Sequence, residues 1–193
     1  MCSPSSESSV PVATVHVPIL VEEILSLLAC SSGKNFLDLT LGGAGHTRAI
    51  LEKTAPEGIV VGCDRDRDAL IRAEGSLGPF GKRFRGFHRT LSQAGSVIRE
   101  NADIRFDGAL IDAGISSDQL DTDARGFSFM RQGPLDMRMN RDHGETAREL
   151  LSRLDETSIA NLIYEYGEER NSRRIAKAIV AARRQGALET TTD

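Results

Sequence analysis

The chain has 193 residues, 39% of them apolar and 27% charged, and its 24 basic and 28 acidic side chains give a formal net charge of −4. The length suits one to one-and-a-half domains with a real core. The negative charge excludes a globally basic nucleic-acid-binding protein but not a local basic face, and no apolar run reaches the roughly 18 residues of a membrane span.

The amino-terminal stretch 1–15 is rich in Ser, Pro and Val and contains no Lys or Arg. We expect it to be disordered, because it has the pattern of neither a secretory nor a mitochondrial signal. We therefore predict cytoplasmic localisation. The alternative is mitochondrial localisation, if the protein is eukaryotic and has a different amino terminus. The 3 widely spaced cysteines and 4 scattered histidines favour neither a disulfide framework nor a metal site.

Strands alternate with helices through the first part of the chain. Pro18 suits the first turn of a helix that carries Leu20, Val21, Ile24, Leu25 and Leu28. Strands are predicted over residues 35–40, 59–64, 84–88 and 106–112, with helices over 46–53, 68–77 and 92–100 between them. Because most of these strands are almost continuously apolar, the fold class is α/β, with a parallel sheet covered by helices on both faces.

The second part of the chain contains no further strand pattern. Residues 113–144 are rich in Gly, Asp and Arg without a clear period, which is typical of a functional or disordered loop. Thr146 and Glu149 form a capping box ahead of one helix, Asp155 caps the next, and a third is predicted over 168–184. We therefore predict an α/β ligand-binding domain over 16–114, followed over 115–193 by a linker loop and a helical substrate-recognition subdomain.

Three predicted strands end in residues suited to a ligand. The first runs into the glycine-rich turn 42–45, the second ends in Asp64, and the fourth ends in Asp112. Ligands of open parallel sheets bind at these carboxyl ends. Asp64 follows Gly45 by 19 residues, close to the spacing at which an acidic residue holds ribose hydroxyls. The alternative is that these Gly and Asp residues simply terminate the strands.

The turn is not a dinucleotide or triphosphate motif. The third glycine of G-x-G-x-x-G is absent, since Arg48 stands in its place, and no G-x-x-x-x-G-K-[ST] sequence occurs. A ligand with an adenosine but without phosphates fits better. S-adenosylmethionine is such a ligand, with Asp64 at its ribose and the glycine turn beside its amino-acid end.

Several stretches together resemble one family, the bacterial-type small-subunit ribosomal RNA cytosine-N4 methyltransferases (RsmH/MraW). The resemblance runs from residue 16 to the last residue. It is carried by HVPIL at 16–20, DLTLGGAGH at 38–46, DRD at 64–66, DAGISSDQLD at 112–121, RGFSFMRQGPLDMRM at 125–139, YGEER at 166–170 and RIAKAI at 174–179.

The resemblance implies a Rossmann-like class I methyltransferase sheet with an inserted helical subdomain. It implies S-adenosylmethionine as cofactor, contacted by Ala44, Gly45, His46, Asp64, Leu91, Asp112 and Gln119. Leu91 stands where the family commonly has an aromatic residue. Relative to the family the chain is expected to be truncated at its carboxyl end, without the later strands and therefore weakly active or inactive. A non-catalytic fragment that retains partial cofactor or RNA binding is the alternative.

Small-subunit ribosomal RNA, or the small ribosomal subunit, is the implied partner; neither DNA nor a membrane is expected, and the oligomeric state stays open. Asp112 is the candidate catalytic residue, as an acceptor for the cytosine amine. Two alternatives remain: Asp112 only orients the cofactor, or His46 acts as base. Predicted RNA contacts, which a plain solvated surface would also explain, are Arg125, Arg131, Arg138, Arg173, Arg174 and Lys177.

Overall fold

The computed structural model describes residues 18–193, so the stretch 1–15 that was predicted to be disordered lies outside the described residues. Four parallel strands form one sheet in the order β3-β2-β1-β4. Their bounds are β1 Phe36–Asp38, β2 Val60–Asp64, β3 Phe84–His88 and β4 Gly108–Leu110. The predicted α/β class with a parallel sheet is confirmed, although β1 and β4 are shorter than predicted.

Eight α-helices accompany the sheet in the described part of the chain. They are α1 Val21–Leu27, α2 Gly45–Lys53, α3 Arg67–Leu77, α4 Ala94–Glu100, α5 Ser117–Asp121, α6 Ala147–Arg153, α7 Glu156–Gly167 and α8 Ser172–Arg184. Short 3-10 segments cover Gly78–Arg83, Leu91–Gln93 and Asp123–Arg125. Within residues 18–193, none of the helices has the length and apolar character needed to cross a membrane.

The central strands β1 and β2 are buried on both faces of the sheet. Phe36 and Val60 pack with side chains of α2 and α3 on one face. Their neighbours Leu37 and Val61 point to the opposite face, where they pack with Val97 of α4. Since neighbouring residues of a strand face opposite sides, burial of both sets explains the continuous apolar runs in the sequence.

The helices α6, α7 and α8 have an apolar cluster of their own, centred on Ile159, Ala160, Ala176 and Val180. The predicted caps are present: Thr146 Oγ1 accepts the Glu149 N–H at 3.1 Å, and Asp155 Oδ1 accepts the Ser158 N–H at 2.7 Å. The third helix begins at Ser172 rather than at 168, because Glu168 takes a left-handed conformation with φ 52° and ends α7. The predicted domain boundaries stay predictions.

The loop 113–144 has more structure than its composition suggested. It contains α5 and a 3-10 turn, and it doubles back on itself. A Cβ on Gly133 would collide with the Asp123 carbonyl, and one on Gly126, where φ is +71°, would collide with the Pro134 carbonyl. The glycines that gave this segment its loop-like composition therefore allow close backbone packing.

Candidate functional site

One cavity of about 570 Å³ lies at the carboxyl ends of β1, β2 and β4. Its volume is in the range of small-molecule sites in proteins. Of the seven residues predicted to contact a cofactor, six line this cavity: Gly45, His46, Asp64, Leu91, Asp112 and Gln119. The fold thus brings together residues that are widely separated in sequence, and their binding role stays a prediction.

Backbone hydrogen bonds orient the Asp64 carboxylate towards the glycine turn. Its Oδ2 accepts the Gly42 N–H at 2.8 Å, and its Oδ1 accepts the Asp66 N–H at 2.8 Å. Gly42 has a φ of +48°, which glycine adopts without steric cost. The carboxylate is therefore fixed at the cavity wall while each oxygen keeps capacity for a further hydrogen bond.

Ala44 is the one predicted cofactor contact that does not line the cavity. It is only 2% exposed, belongs to the core cluster beneath the turn, and is not among the cavity-lining residues. Both of its backbone groups are already bonded: its N–H donates to the Leu41 carbonyl at 2.7 Å, and its carbonyl accepts the Arg48 N–H at 2.9 Å. With φ at +62°, Ala44 occupies a left-handed position at the amino terminus of α2.

His46 and Asp112 face each other across the cavity. His46 Nδ1 lies 3.7 Å from Asp112 Oδ2, and its other ring nitrogen, Nε2, donates to the Ile19 carbonyl at 2.9 Å. The Asp112 side chain is 56% exposed. Its backbone N–H donates to Thr40 Oγ1 at 2.6 Å, which joins the end of β4 to the end of β1.

Asp38 is a second carboxylate of the turn region, but it is buried below the cavity. Thr47 Oγ1 donates to its Oδ2 at 2.6 Å, and the Thr40 N–H donates to its Oδ1 at 3.1 Å. Burial raises the pKa of the Asp38 carboxyl, and these two hydrogen bonds offset the effect only in part. Asp38 thus supports the turn from inside the core.

Arg125 is the most deeply buried of the predicted RNA contacts. Its side chain is 4% exposed, and its Nη1 donates to Asp66 Oδ2 at 2.7 Å. Its Nη2 donates to the Arg138 and Met139 carbonyls at 3.1 and 3.0 Å. A guanidinium buried and bonded in this way cannot reach a phosphate, so Arg125 joins the loop to the start of α3.

Gln119 belongs to the same buried network. Its Nε2 donates to Asp66 Oδ2 at 2.8 Å, and its Oε1 accepts the Ser116 N–H at 3.1 Å. Although burial raises the pKa of the Asp66 carboxyl, hydrogen bonds from Gln119 and Arg125 outweigh it, and the net pKa lies below its usual value. Gln119 therefore holds the cavity wall in place through Asp66.

The other predicted RNA contacts are on the surface to different degrees. Arg138 is bound by Asp136 through its Nε at 2.7 Å, and this hydrogen bond holds the pKa of the Asp136 carboxyl below its usual value. Arg131 is half exposed and lies near Asp121 and Asp123. On α8, by contrast, three exposed cations form no ion pair within residues 18–193: Arg173, Arg174 and Lys177.

Some cavity residues were not predicted. Pro18 and Ile19 form part of the wall although they precede the first helix, and Met139 enters from the central loop. The sequence pattern predicted Pro18 and Leu20 in the first helix, but α1 begins at Val21 and Leu20 is its left-handed N-cap. No local signal connects the stretch HVPIL with the glycine turn. The described part of the chain contains no group of three or more side chains suited to a metal ion.

Comparisons with known proteins point to one family. The sequence model of the MraW methylase family matches residues 13–193. The chain is 44% identical over 176 residues to the ribosomal RNA small subunit methyltransferase H of Geotalea uraniireducens, covering 91% of this chain and 56% of that protein. It is 48% identical to the protein of the same name from Geobacter sulfurreducens, covering 91% of this chain and 57% of that one.

The chain thus spans between half and two thirds of the length of these relatives. Among solved structures, an rRNA methylase from Streptococcus thermophilus is similar with a TM-score of 0.36 and 18% identity, covering 75% of this chain and 84% of that one. A likeness of that size supports no statement about function.

Proposed function

Since the chain belongs to the MraW methylase family, we propose that it binds S-adenosylmethionine and transfers a methyl group to N4 of a cytosine in small-subunit ribosomal RNA. The observation that carries the proposal is the convergence of Gly45, His46, Asp64, Leu91, Asp112 and Gln119 on one cavity. The names of the relatives support the RNA class, and the resemblance of the motifs supports the cytosine amine as acceptor.

The residues of the cavity fit an adenosyl cofactor. Asp64 presents a carboxylate that can accept hydrogen bonds from a pair of ribose hydroxyls. At Gly43 a Cβ would meet open space, so the backbone of the turn is accessible to a ligand. Leu91 and Ile115 give the wall apolar surface on which an adenine ring can pack.

When bound, S-adenosylmethionine supplies a methyl group on a sulfonium, which needs correct positioning more than covalent help. The difficulty lies in the cytosine amine, whose lone pair is delocalised into the ring. In the proposed reaction the Asp112 carboxylate accepts a hydrogen bond from that amine, which localises the lone pair and stabilises positive charge developing on the nitrogen. Thr40 orients Asp112 through its backbone N–H.

The two alternatives for this chemistry differ in what His46 and Asp112 do. His46 Nε2 is used as a donor to the Ile19 carbonyl, which leaves Nδ1, 3.7 Å from Asp112 Oδ2, as the ring nitrogen that could act as the base. If Asp112 only orients the cofactor, its replacement should leave the rate of methyl transfer unchanged.

On the RNA side, the proposal relies on α8. Arg173, Arg174 and Lys177 are exposed and unpaired within residues 18–193, so they can contact phosphates without reading sequence. Arg131 and Arg138 are secondary candidates, because nearby carboxylates already compensate their charge. Cytoplasmic localisation remains a prediction that accompanies this substrate.

Calorimetric titration of residues 1–193 with S-adenosylmethionine tests the cofactor. Asp64→Ala should weaken binding by about 1–3 kcal/mol, the range for hydrogen bonds to a charged group. Asp103→Ala, which removes an exposed carboxylate paired with Arg85, is the matched control and should bind normally. No binding by the unaltered chain would overturn the proposed cofactor, and unchanged affinity of Asp64→Ala would remove Asp64 from the site.

Methyl transfer to isolated small ribosomal subunits tests the activity, with a full-length relative as control. Transfer to cytosine N4 supports the proposal. Cofactor binding without transfer favours the alternative of a non-catalytic chain that retains partial cofactor or RNA binding.

A further inference from the structure

The segment before α1 forms one wall of the cavity. Pro18 and Ile19 line it, and the backbone then turns at Leu20 into α1. Leu20 has φ 56° and ψ 31°, the left-handed conformation that is unfavourable for a leucine. Its side chain is 61% exposed, so burial of that side chain does not offset the strain. Contacts of the neighbouring residues Pro18 and Ile19 must therefore hold the segment in this position.

The first of these contacts is a hydrogen bond from His46. Its Nε2 donates to the Ile19 carbonyl at 2.9 Å, and the imidazole is only 11% exposed. Because a carbonyl only accepts hydrogen bonds, this contact fixes a proton on Nε2. The other ring nitrogen, Nδ1, lies 3.7 Å from Asp112 Oδ2, so the imidazole lies between the Ile19 carbonyl and the Asp112 carboxylate.

The second contact is steric. A Cβ on Gly45 would lie 2.7 Å from Pro18 Cγ, which means that the proline ring packs directly on the glycine turn. Gly45 does not have a positive φ. Its lack of a side chain is therefore needed for the approach of Pro18 and not for the local backbone conformation.

We propose that His46 is a positioning residue that holds Pro18 and Ile19 against the glycine turn, and that this clasp slows the release of the bound cofactor. The clasp comprises Pro18, Ile19 and the His46 ring. The inference rests on the proposed function, because it requires S-adenosylmethionine in this cavity. It assigns Pro18 and Ile19 a role in cofactor retention.

Two substitutions at His46 separate the hydrogen bond from the ring. His46→Gln keeps a side-chain N–H that can reach the Ile19 carbonyl, whereas His46→Leu removes the donor. We expect His46→Leu to raise the dissociation rate constant of S-adenosylhomocysteine, measured by stopped-flow, about tenfold, as for one lost hydrogen bond. His46→Gln should recover most of this loss. His143→Leu, in an exposed loop, is the matched control and should release the ligand at the normal rate.

A double-mutant cycle distinguishes the clasp from a direct contact between His46 and the ligand. Pro18→Gly loosens the segment without altering the imidazole, so it should also speed release. If both residues act through the clasp, His46→Leu should have a much smaller effect in the Pro18→Gly background than alone. If the two substitutions raise the dissociation rate constant independently, so that their fold-changes multiply in the double variant, the proposal is wrong. An unchanged dissociation rate constant in His46→Leu would also overturn it.

Hydrogen exchange without ligand keeps the test independent of the proposed function. In His46→Leu, the amides of residues 19–24, among them the Ile24 N–H that donates to the Leu20 carbonyl, should exchange faster than in the unaltered chain. His46→Gln should restore their protection. If the unaltered chain bound no S-adenosylmethionine, the proposed function would fall and the claim about cofactor release with it. Unchanged exchange in His46→Leu would refute the clasp itself, whatever the chain binds.

Discussion

Replacement of Arg125 by methionine tests whether the buried pair with Asp66 holds the central loop onto the sheet. Methionine keeps much of the aliphatic stem and removes the charge together with its hydrogen bonds. The Asp66 carboxylate, 2% exposed, would retain hydrogen bonds from Gln119 and from the Asp68 N–H but lose the buried guanidinium that compensates its charge.

The magnitude follows from two opposing effects. Removal of one partner from a buried ion pair costs about 3–5 kcal/mol, because the other charge is left uncompensated. Arg125 Nε is itself buried without a hydrogen-bond partner in the described part of the chain, and its removal returns roughly 1 kcal/mol. We therefore expect Arg125→Met to lower the free energy of unfolding by about 2–4 kcal/mol, or Tm by about 4–16 °C for a chain of this size.

Urea unfolding at pH 7 measures the effect, and Arg131→Met is the matched control. Arg131 lies in the same loop but is 51% exposed near acidic residues, so its replacement should cost less than about 1 kcal/mol. In a cycle with Asp66→Asn, the double substitution should cost less than the sum of the single ones. A loss below 1 kcal/mol for Arg125→Met, or equal losses at the two arginines, would refute the reasoning.

The contribution of the Asp66–Arg125 pair to folding stability should decrease as the pH falls. Hydrogen bonds from Gln119 and Arg125 outweigh the opposing effect of burial and lower the folded-state pKa of Asp66 below its usual 3.8. The pair therefore stabilises the fold above that unfolded-state pKa, and the stabilisation is lost as the pH falls through the lower folded-state pKa. The difference in stability between the unaltered chain and Arg125→Met should accordingly shrink in acid.

Three further predictions concern the site. Asp112→Asn should slow single-turnover methyl transfer by a factor on the order of a hundred while cofactor affinity stays within about twofold; a normal rate would leave Asp112 only an orienting role. Burial raises the folded-state pKa of Asp38, so this carboxyl lowers stability as the pH rises from 3.8 through that pKa. Asp38→Asn should therefore gain stability relative to the unaltered chain as the pH of urea unfolding is raised above 3.8, and a difference that does not change with pH would contradict this. Replacing Arg173 and Lys177 by Ala should weaken RNA binding. The slope of log affinity against log salt concentration should become less steep by the equivalent of about two phosphate contacts, and an unchanged slope would remove α8 from the interface.

The candidate site was predictable where its residues follow strands. The glycine turn, Asp64 and Asp112 each come directly after an apolar run, and the carboxyl ends of parallel strands meet at one edge of the sheet. The position of Ala44 behind the cavity wall was not predictable from the sequence. Within one turn, its neighbours Gly43 and Gly45 line the cavity while Ala44 points into the core, and only the backbone angles decide this.

Local patterns in the sequence alone determined the α/β class, the positions of the four strands, the helix caps and the family resemblance, because apolar periodicity, capping and turn chemistry act between residues close in the chain. The tertiary structure alone decided which arginine of the central loop is buried. Arg125 meets Asp66 across 59 positions, and the His46 nitrogen meets the Ile19 carbonyl across 27. No local pattern marks such contacts, since burial and pairing of a charged or polar group depend on which distant segments the fold brings against it.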